Sequence, residues 1–299
     1  MLKVLLTGVN GQVGNSLKDK LSAHELVAVS REQLDLTDAD AIRRLVQQIK
    51  PSLIINPAAY TAVDKAESEP ELAFAINATA PQILAEEAAT LGAGIIHFST
   101  DYVYDGKKST PYVESDAVNP INIYGKSKLA GEDAIRSVGL PHLILRTSWV
   151  YGAYGKNFLK TILRLASERE KLTIVGDQFG APTSSENIAK ALVVLVNQWD
   201  LSSPAQTGVY HITNTGSTSW HGFATEIINE YNDLDESRAW PVLKTQVDNV
   251  VAITTIDYPT PAARPANSTL NTGKLNAVFG VQLPTWQKGL HEVLQGLKL

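Results

Sequence analysis

Short apolar runs alternate with amphipathic stretches through the first half of the chain. Leu2 to Leu6 is a short apolar run that predicts a strand buried on both faces, and a glycine-rich turn leads from it into a helix from about Gln12 to Leu21. Leu26 to Val29 predicts a second strand. Asp38 to Lys50 has helical periodicity with an acidic start and a basic end, and Pro51 stops it before the strand Leu53 to Asn56. An alanine-rich helix is expected from about Pro70 to Leu91, then buried strands at Gly94 to Ser99 and Leu143 to Arg146, with a further helix around Tyr124 between them. Regular alternation of strand and helix calls for right-handed crossovers and a parallel sheet covered on both faces.

Beyond about residue 150 the rhythm loosens. A strand is predicted at Leu172 to Val175, a helix at Ser185 to Gln198, a strand at Val209 to Ile212, and helices at Ser219 to Tyr231 and Trp286 to Leu294. Asp233 to Asn271, rich in proline and polar residues, is expected to wrap as loops. The expected fold is α/β, a Rossmann-type doubly wound parallel sheet with a smaller mixed α/β cap that contributes to a cleft. Residues 1–150, with parts of about 180–215, would form the sheet domain, and about 151–180 with 216–299 the cap. The sequence contains no internal repeat or low-complexity segment.

The 299 residues suffice for one large α/β unit or a large domain with a smaller companion, and burying a core is no difficulty at this length. A 44% hydrophobic and 19% charged composition and a mean hydropathy of -0.07 are those of a soluble globular protein, against disorder and against membrane spanning. The net charge of -5 and pI of about 5.7, with no local lysine or arginine cluster, argue against a nucleic-acid partner and leave a small molecule. Zero cysteines remove disulfides, thiolate metal sites and thiol nucleophiles together. The start, Met1 to Gly8, is too short and too soon interrupted by glycine for a signal peptide, so a cytoplasmic protein is expected. His24, His97, His142, His211, His221 and His291 are scattered without ligand-like spacing, and no catalytic metal is expected.

Gly8, Gly11 and Gly14 follow a strand and open a helix, the context in which backbone N–H groups approach a pyrophosphate. Gly8, Asn10, Gly11, Gln12 and Val13 are the cofactor candidates there, and they make the first domain the dinucleotide-binding one. The spacing G-x-x-G-x-x-G differs from the two-glycine-first fingerprint, and a tight turn needing glycine's freedom is the alternative reading. After the second strand, where an acid would bind the ribose 2′-OH, the chain offers Ser30 and Arg31. An arginine there suits a 2′-phosphate and favours NADPH, with NADH left open; a solvated surface charge reads equally well. Asp35 and Leu36 are the candidates at the adenine.

Tyr124 and Lys128 stand at i, i+4, so a phenol and an ammonium project from one helix face. A free tyrosine, with a pKa of about 10, is a sluggish proton carrier at neutral pH. A neighbouring cation is expected to lower that value, and a positioned acid contributes roughly 10²–10⁴ in rate. Among ten tyrosines, one such match also arises by chance.

With Ser99-Thr100-Asp101-Tyr102-Val103-Tyr104 after a strand, the chain resembles the extended short-chain dehydrogenase/reductases, and within them the reductases of dTDP-L-rhamnose synthesis. The likeness spans nearly the whole length, through Gly8 to Gly14, Asn56-Pro57-Ala58-Ala59-Tyr60-Thr61-Ala62-Val63-Asp64, Arg146 to Gly152, Asp177 to Thr183, and Ala263-Arg264-Pro265. It implies a catalytic trio of Thr100, Tyr124 and Lys128. A hydride would pass from the nicotinamide to the C4 carbonyl of a nucleotide sugar, Tyr124 supplying the proton, Thr100 orienting the carbonyl, and Lys128 holding the nicotinamide ribose and tuning the phenol. The resemblance adds Ala58, Ala59 and Tyr60 to the cofactor contacts. It places Val63, Asp101, Tyr102 and Trp149 at the sugar nucleotide and offers Arg264 as a diphosphate partner, although an aromatic beside a cleft reads equally as packing and an arginine as an ion-pair member.

Some reductases of the family are associated with Mg2+, but no carboxylate cluster is nominated for one here. A sugar-nucleotide dehydratase or epimerase shares the trio. The 4,6-dehydratases carry an Asp-Glu pair after the threonine, whereas here Tyr102 follows Asp101. A non-catalytic NADP-binding module resembling the regulatory beta subunit of methionine adenosyltransferase is the second alternative. Oligomeric state, a homodimer included, is left open.

Overall fold

The computed structural model describes residues 1–234 and 242–297. In the first half β1 (Lys3–Leu6) is followed by α1 (Gln12–Lys18), β2 (Glu25–Ala28), α2 (Ala39–Ile49) and β3 (Leu53–Asn56). After them come α3 (Val63–Ala66), α4 (Pro70–Phe74), α5 (Ala80–Thr90), β4 (Gly94–Thr100), α6 (Ile123–Val138) and β5 (His142–Thr147). Local chemistry explains the bounds. The Asp38 carboxylate accepts from the Ala41 N–H at 2.9 Å, and Lys50 turns into the left-handed region, φ 51°, to end α2 before Pro51.

The single helix expected over Pro70 to Leu91 is interrupted by a π-helical turn at Ala75–Thr79. That turn holds buried Asn77, whose amide donates to the Tyr60 carbonyl and the Ser127 hydroxyl and accepts from the Tyr60 N–H. The extra residue thus ties α6 to the loop after β3.

The second half contains β6 (Val150–Tyr151), α7 (Phe158–Glu168), β7 (Leu172–Val175), β8 (Phe179–Gly180), β9 (Thr183–Ser184), α8 (Ser185–Gln198) and β10 (Gly208–His211). It continues with β11 (Thr218–Ser219), α9 (Trp220–Asn232), β12 (Val250–Ile253), α10 (Gly273–Phe279) and α11 (Trp286–Gly296). Of the stretch expected to be loops, 235–241 lies outside the described residues, as do residues 298–299 of the expected cap. Val250–Ile253 departs from the expectation: it pairs in parallel with β7, a partner too far away in sequence for local patterning to reveal.

Six parallel strands form the main sheet in the order β10-β5-β4-β3-β1-β2. Alternate strand residues feed two cores. Leu5, Ile54, Ile95 and Ile144 pack towards α2, α5 and α6, and Leu6, Ile55, Ile96 and Leu145 towards α1, α8 and α10. A third core joins Tyr151, Leu159, Ile162, Phe223, Ile227 and Leu290 of the second half. Chain order reverses beside β1, with β2 on one side and β3 on the other, which opens a crevice at the carboxyl ends of the strands. Among the described residues no helix is long and apolar enough to cross a membrane.

Candidate active site

A cleft of about 740 Å³ lies over that crevice. The glycine turn forms its floor. Gly8 has φ +60°, and a β-carbon on it would lie 2.8 Å from the Ala58 α-carbon, so the loops after β1 and β3 meet backbone to backbone. A β-carbon on Gly14 would lie 2.2 Å from the Gly8 carbonyl oxygen. Among the described residues no side chain caps the start of α1. Gly8, Asn10, Gly11, Gln12 and Val13 all line the cleft, as do Ala58 and Ala59. A turn with this close approach and bare N–H groups fits the pyrophosphate of a dinucleotide.

Ser30, Arg31, Asp35 and Leu36 line the far end of the cleft. Arg31 is exposed there. The Asp35 carboxylate is held by its own turn, accepting from the Thr37 N–H at 2.9 Å and hydroxyl at 2.8 Å, and these bonds lower its pKa. Tyr60 is not among the residues lining the cleft: its hydroxyl donates to Glu69 at 2.5 Å and its N–H to Asn77 at 2.8 Å.

At the centre, β4 ends in Thr100. Its hydroxyl donates to Asp101 at 2.9 Å and accepts from the Tyr102 N–H at 3.2 Å, capping the short turn that follows. The Asp101 side chain is buried with Oδ2 unpartnered, and burial pushes its pKa up to about 6 against the hydroxyls of Ser268 and Thr100. The helix α6 starts where Asn122 accepts from the Gly125 N–H at 2.8 Å, and a β-carbon on Gly125 would lie 2.2 Å from the Tyr102 carbonyl. This close seat brings the Tyr124 ring edge-on to Tyr102, centroids 5.6 Å apart. Deeper in, Arg146 of β5 holds Glu132 of α6 in a buried two-pronged ion pair, at 2.8 and 2.6 Å.

Thr100, Asp101, Tyr102, Tyr124 and Lys128 all line this one cleft. The electrostatics differ from the expectation that the ammonium lowers the phenol's pKa. Burial pushes Tyr124 up to about 12, relieved by the Thr100 hydroxyl and reinforced by Asp101. Lys128, 1% exposed, is engaged elsewhere: it donates to the Phe98 carbonyl at 2.6 Å and meets His97 Nε2 at 3.2 Å. Its own pKa is lowered to about 8 by burial, with Glu132 opposing.

Val63 and Trp149 also line the cleft, whereas Arg264 is not among its lining residues. Arg264 is ion-paired to Asp64 at 2.8 Å beside the Tyr102 ring. Lys156, Asn157 and Trp220 are among the lining residues that the sequence reading did not name. Asn157 caps α7 and also donates to Gln12 Oε1 at 3.0 Å, while Gln12 Nε2 donates to the Val150 carbonyl at 3.1 Å. The glycine turn is thereby clasped to the second half. An asparagine ahead of a helix signals a cap, and its second role depends on a residue 145 positions away. Among the described residues no group of three or more His, Cys, Asp or Glu is placed to hold a metal ion.

A parallel doubly wound sheet with a glycine turn at its switch point, and a threonine, a tyrosine and a lysine about the adjoining cleft, define a Rossmann-type reductase. Comparison with known proteins narrows the class. The RmlD substrate binding domain family matches residues 2–299, and the chain belongs to this family. It is 44% identical over 292 residues to a dTDP-4-dehydrorhamnose reductase of Burkholderia thailandensis, covering 96% of each chain. To the same-named protein of Sinorhizobium fredii it is 41% identical over 300 residues, covering 100% of this chain and 98% of the other. The crystal structure of dTDP-4-dehydrorhamnose reductase from Bacillus anthracis in complex with NADP superimposes with a TM-score of 0.89 at 36% identity, covering 98% of both chains.

Proposed function

We propose that the chain reduces the C4 ketone of dTDP-4-dehydrorhamnose to give dTDP-L-rhamnose, using NADPH or NADH. The single observation that carries this reading is the convergence of Thr100, Tyr124 and Lys128 on the cleft floored by the glycine turn. Reduced nicotinamide, when bound, supplies the hydride. Tyr124 then gives its hydroxyl proton to the oxyanion at C4, and the raised pKa keeps that proton on the phenol at neutral pH until an alkoxide develops to take it. Thr100 orients the carbonyl by its hydroxyl, and Lys128 holds the nicotinamide ribose. Val63, Asp101, Tyr102 and Trp149 face the sugar nucleotide. Arg31 at the cleft's far end suits the 2′-phosphate, which favours NADPH.

Residues 1–150 with parts of about 180–215 bind the dinucleotide, and about 151–180 with 216–299 bind the sugar nucleotide; the separate core of α7, α9 and α11 supports this division, although α10 packs into the core of the main sheet. The reading includes neither nucleic acid nor membrane, and it places the enzyme in the cytoplasm. Full turnover in excess chelator is expected. A dehydratase is disfavoured because Tyr102 stands where its elimination glutamate belongs.

The test follows reduced-cofactor absorbance with dTDP-4-dehydrorhamnose and other 4-keto nucleotide sugars. NADPH should be consumed in equal measure with product, and Tyr124→Phe should cut kcat by roughly 10²–10⁴ with NADPH affinity nearly intact. Unimpaired turnover in that variant removes the proton-donor role. Turnover of substrate without net NADPH oxidation would return the dehydratase or epimerase reading, and complete inactivity of the parent protein the regulatory one.

A further inference from the structure

A file of buried polar side chains crosses the sheet behind Lys128. The Thr7 hydroxyl, after β1, donates to Asn56 Oδ1 on β3 at 2.6 Å; Asn56 Nδ2 lies 3.1 Å from His97 Nδ1 on β4; and His97 Nε2 lies 3.2 Å from Lys128 Nζ. All four residues are at most 1% exposed. Burial holds His97 neutral, so its ring carries one proton and one lone pair.

In this arrangement Nδ1 accepts from the Asn56 amide, which leaves the ring proton on Nε2, pointing at the lysine. A free amine completes the file: its lone pair accepts from Nε2–H while one N–H donates to the Phe98 carbonyl, 2.6 Å away. An ammonium there would set N–H against N–H. Turning the Asn56 amide by half a revolution reverses everything. Oδ1 then accepts from Nδ1–H, Nε2 offers a lone pair, and an ammonium donates to both Nε2 and Phe98 with a third N–H left for the cleft. The Thr7 hydroxyl accepts as readily as it donates, and because Thr7 lines the cleft its own hydrogen can then turn there, so neither arrangement leaves a clash within the file.

Other charged groups around the amine do not offer this choice. Glu132, four residues along α6, is held by Arg146 and takes the Ser99 hydroxyl at 2.5 Å. Tyr124 and Asp101 lie towards the cleft, and His97 is the titratable side chain in contact with Nζ. An unpaired polar group at this depth is costly, so a file that completes in both directions removes that penalty from either charge state.

We propose that Asn56 and His97 are positioning residues that let Lys128 exist as ammonium or free amine by reversing the direction of the hydrogen bonds between Thr7 and Lys128. The inference rests on the reading of Lys128 as a working group of the site, but its test needs no turnover. In 15N-labelled protein free of ligands, the His97 ring should change from the Nδ1–H to the Nε2–H tautomer as pH rises between about 6 and 10, with the same midpoint as the Lys128 15Nζ shift. One tautomer throughout that range overturns the proposal.

Asn56→Asp supplies a second arm, because a carboxylate accepts from both sides and should keep His97 Nδ1 protonated at every pH. The lysine midpoint should then rise by about one unit or more, a tenfold or greater change in the equilibrium. Its added charge alone would raise the midpoint, so the tautomer decides: a His97 that still reaches Nε2–H in a folded Asn56→Asp protein defeats the proposal. Failure of Lys128→Ala to weaken NADPH binding would instead count against the functional reading alone.

Discussion

Trp149 and Trp220 lie face to face, ring centroids 3.5 Å apart and planes 8° from parallel. Trp149 adopts φ 47°, a backbone region costing a bulky residue on the order of 1–3 kcal/mol. What holds it there is the stack, together with Gly180, where a β-carbon would come within 2.4 Å of the indole. Phe158 in turn packs on Trp220, centroids 4.6 Å apart. Trp220 therefore fixes the wall that Trp149 presents to the cleft. Trp220→Ala is expected to raise KM for the sugar nucleotide by roughly tenfold, the equivalent of a lost aromatic pair of about 1–1.5 kcal/mol, and to leave NADPH affinity unchanged. Steady-state kinetics beside a cofactor titration check both halves; equal weakening of the two ligands would mean a general collapse of the cleft.

The glycine turn invites a graded test. A methyl at Gly14 meets backbone at 2.2 Å, whereas one at Gly11 meets the same Gly8 carbonyl at 3.2 Å. Gly14→Ala must move the turn itself and should cost about 1–3 kcal/mol of stability. The displaced N–H groups should also weaken NADPH, so the rise in melting temperature that NADPH gives the parent protein should shrink. Gly11→Ala should show a smaller form of both effects. Thermal unfolding with and without NADPH reads them together, and a Gly14→Ala protein stabilised by cofactor as fully as the parent would take the pyrophosphate away from this turn.

Features written locally in the chain were legible from it. Strand Leu53–Asn56 and helix Ser185–Gln198 match their predicted bounds because side-chain caps, a proline stop and apolar runs mark them. The i, i+4 spacing placed Tyr124 and Lys128 in one cleft. It could not tell what the lysine touches, since Phe98 and His97 belong to another element, nor that burial reverses the expected shift of the phenol. Strand β12 and the aromatic partner of Trp149 escaped for the same reason: each is defined by a contact across tens of residues. Asn77 was hidden inside an alanine-rich helix whose π turn no periodicity announces.

Arg31 lines the cleft where β2 ends, exposed, with Glu32 as its sequence neighbour. A guanidinium at a water-facing site contributes to phosphate binding through its fork and charge, an interaction screened by salt. Arg31→Ala should raise Kd for NADPH several-fold more than Kd for NADH, and the gap should narrow as ionic strength rises. Fluorescence titrations with both cofactors at two salt concentrations measure it. Equal loss for both cofactors would make Arg31 a general wall of the adenosine pocket, and no loss would return it to the solvated surface.

The buried histidines set how the fold responds to acid. Burial lowers the pKa of His211 to about 3, with the Arg146 cation adding to the effect, and burial also lowers His97 and His142. An unfolded histidine titrates near about 6.5. Between that value and the folded one the unfolded chain binds more protons than the native protein, so stability is complete above about 6.5 and is lost as pH falls, at up to about 1.4 kcal/mol per unit for each histidine. Asp101 acts in the opposite sense, because its folded pKa of about 6 exceeds the unfolded value of about 3.8 and favours the native state as pH drops through that window. Glu226, its pKa also raised by burial, acts in the same sense as Asp101, and three histidines against these two acids leave a net fall. Urea midpoints measured from neutral pH down to about 5 should decline, and His211→Gln, which lacks the titrating ring but can still accept from Tyr104, should flatten the decline by close to one proton's slope. A variant whose curve stays parallel to the parent's would show that His211 carries none of it, and would move the acid sensitivity to His97 and His142.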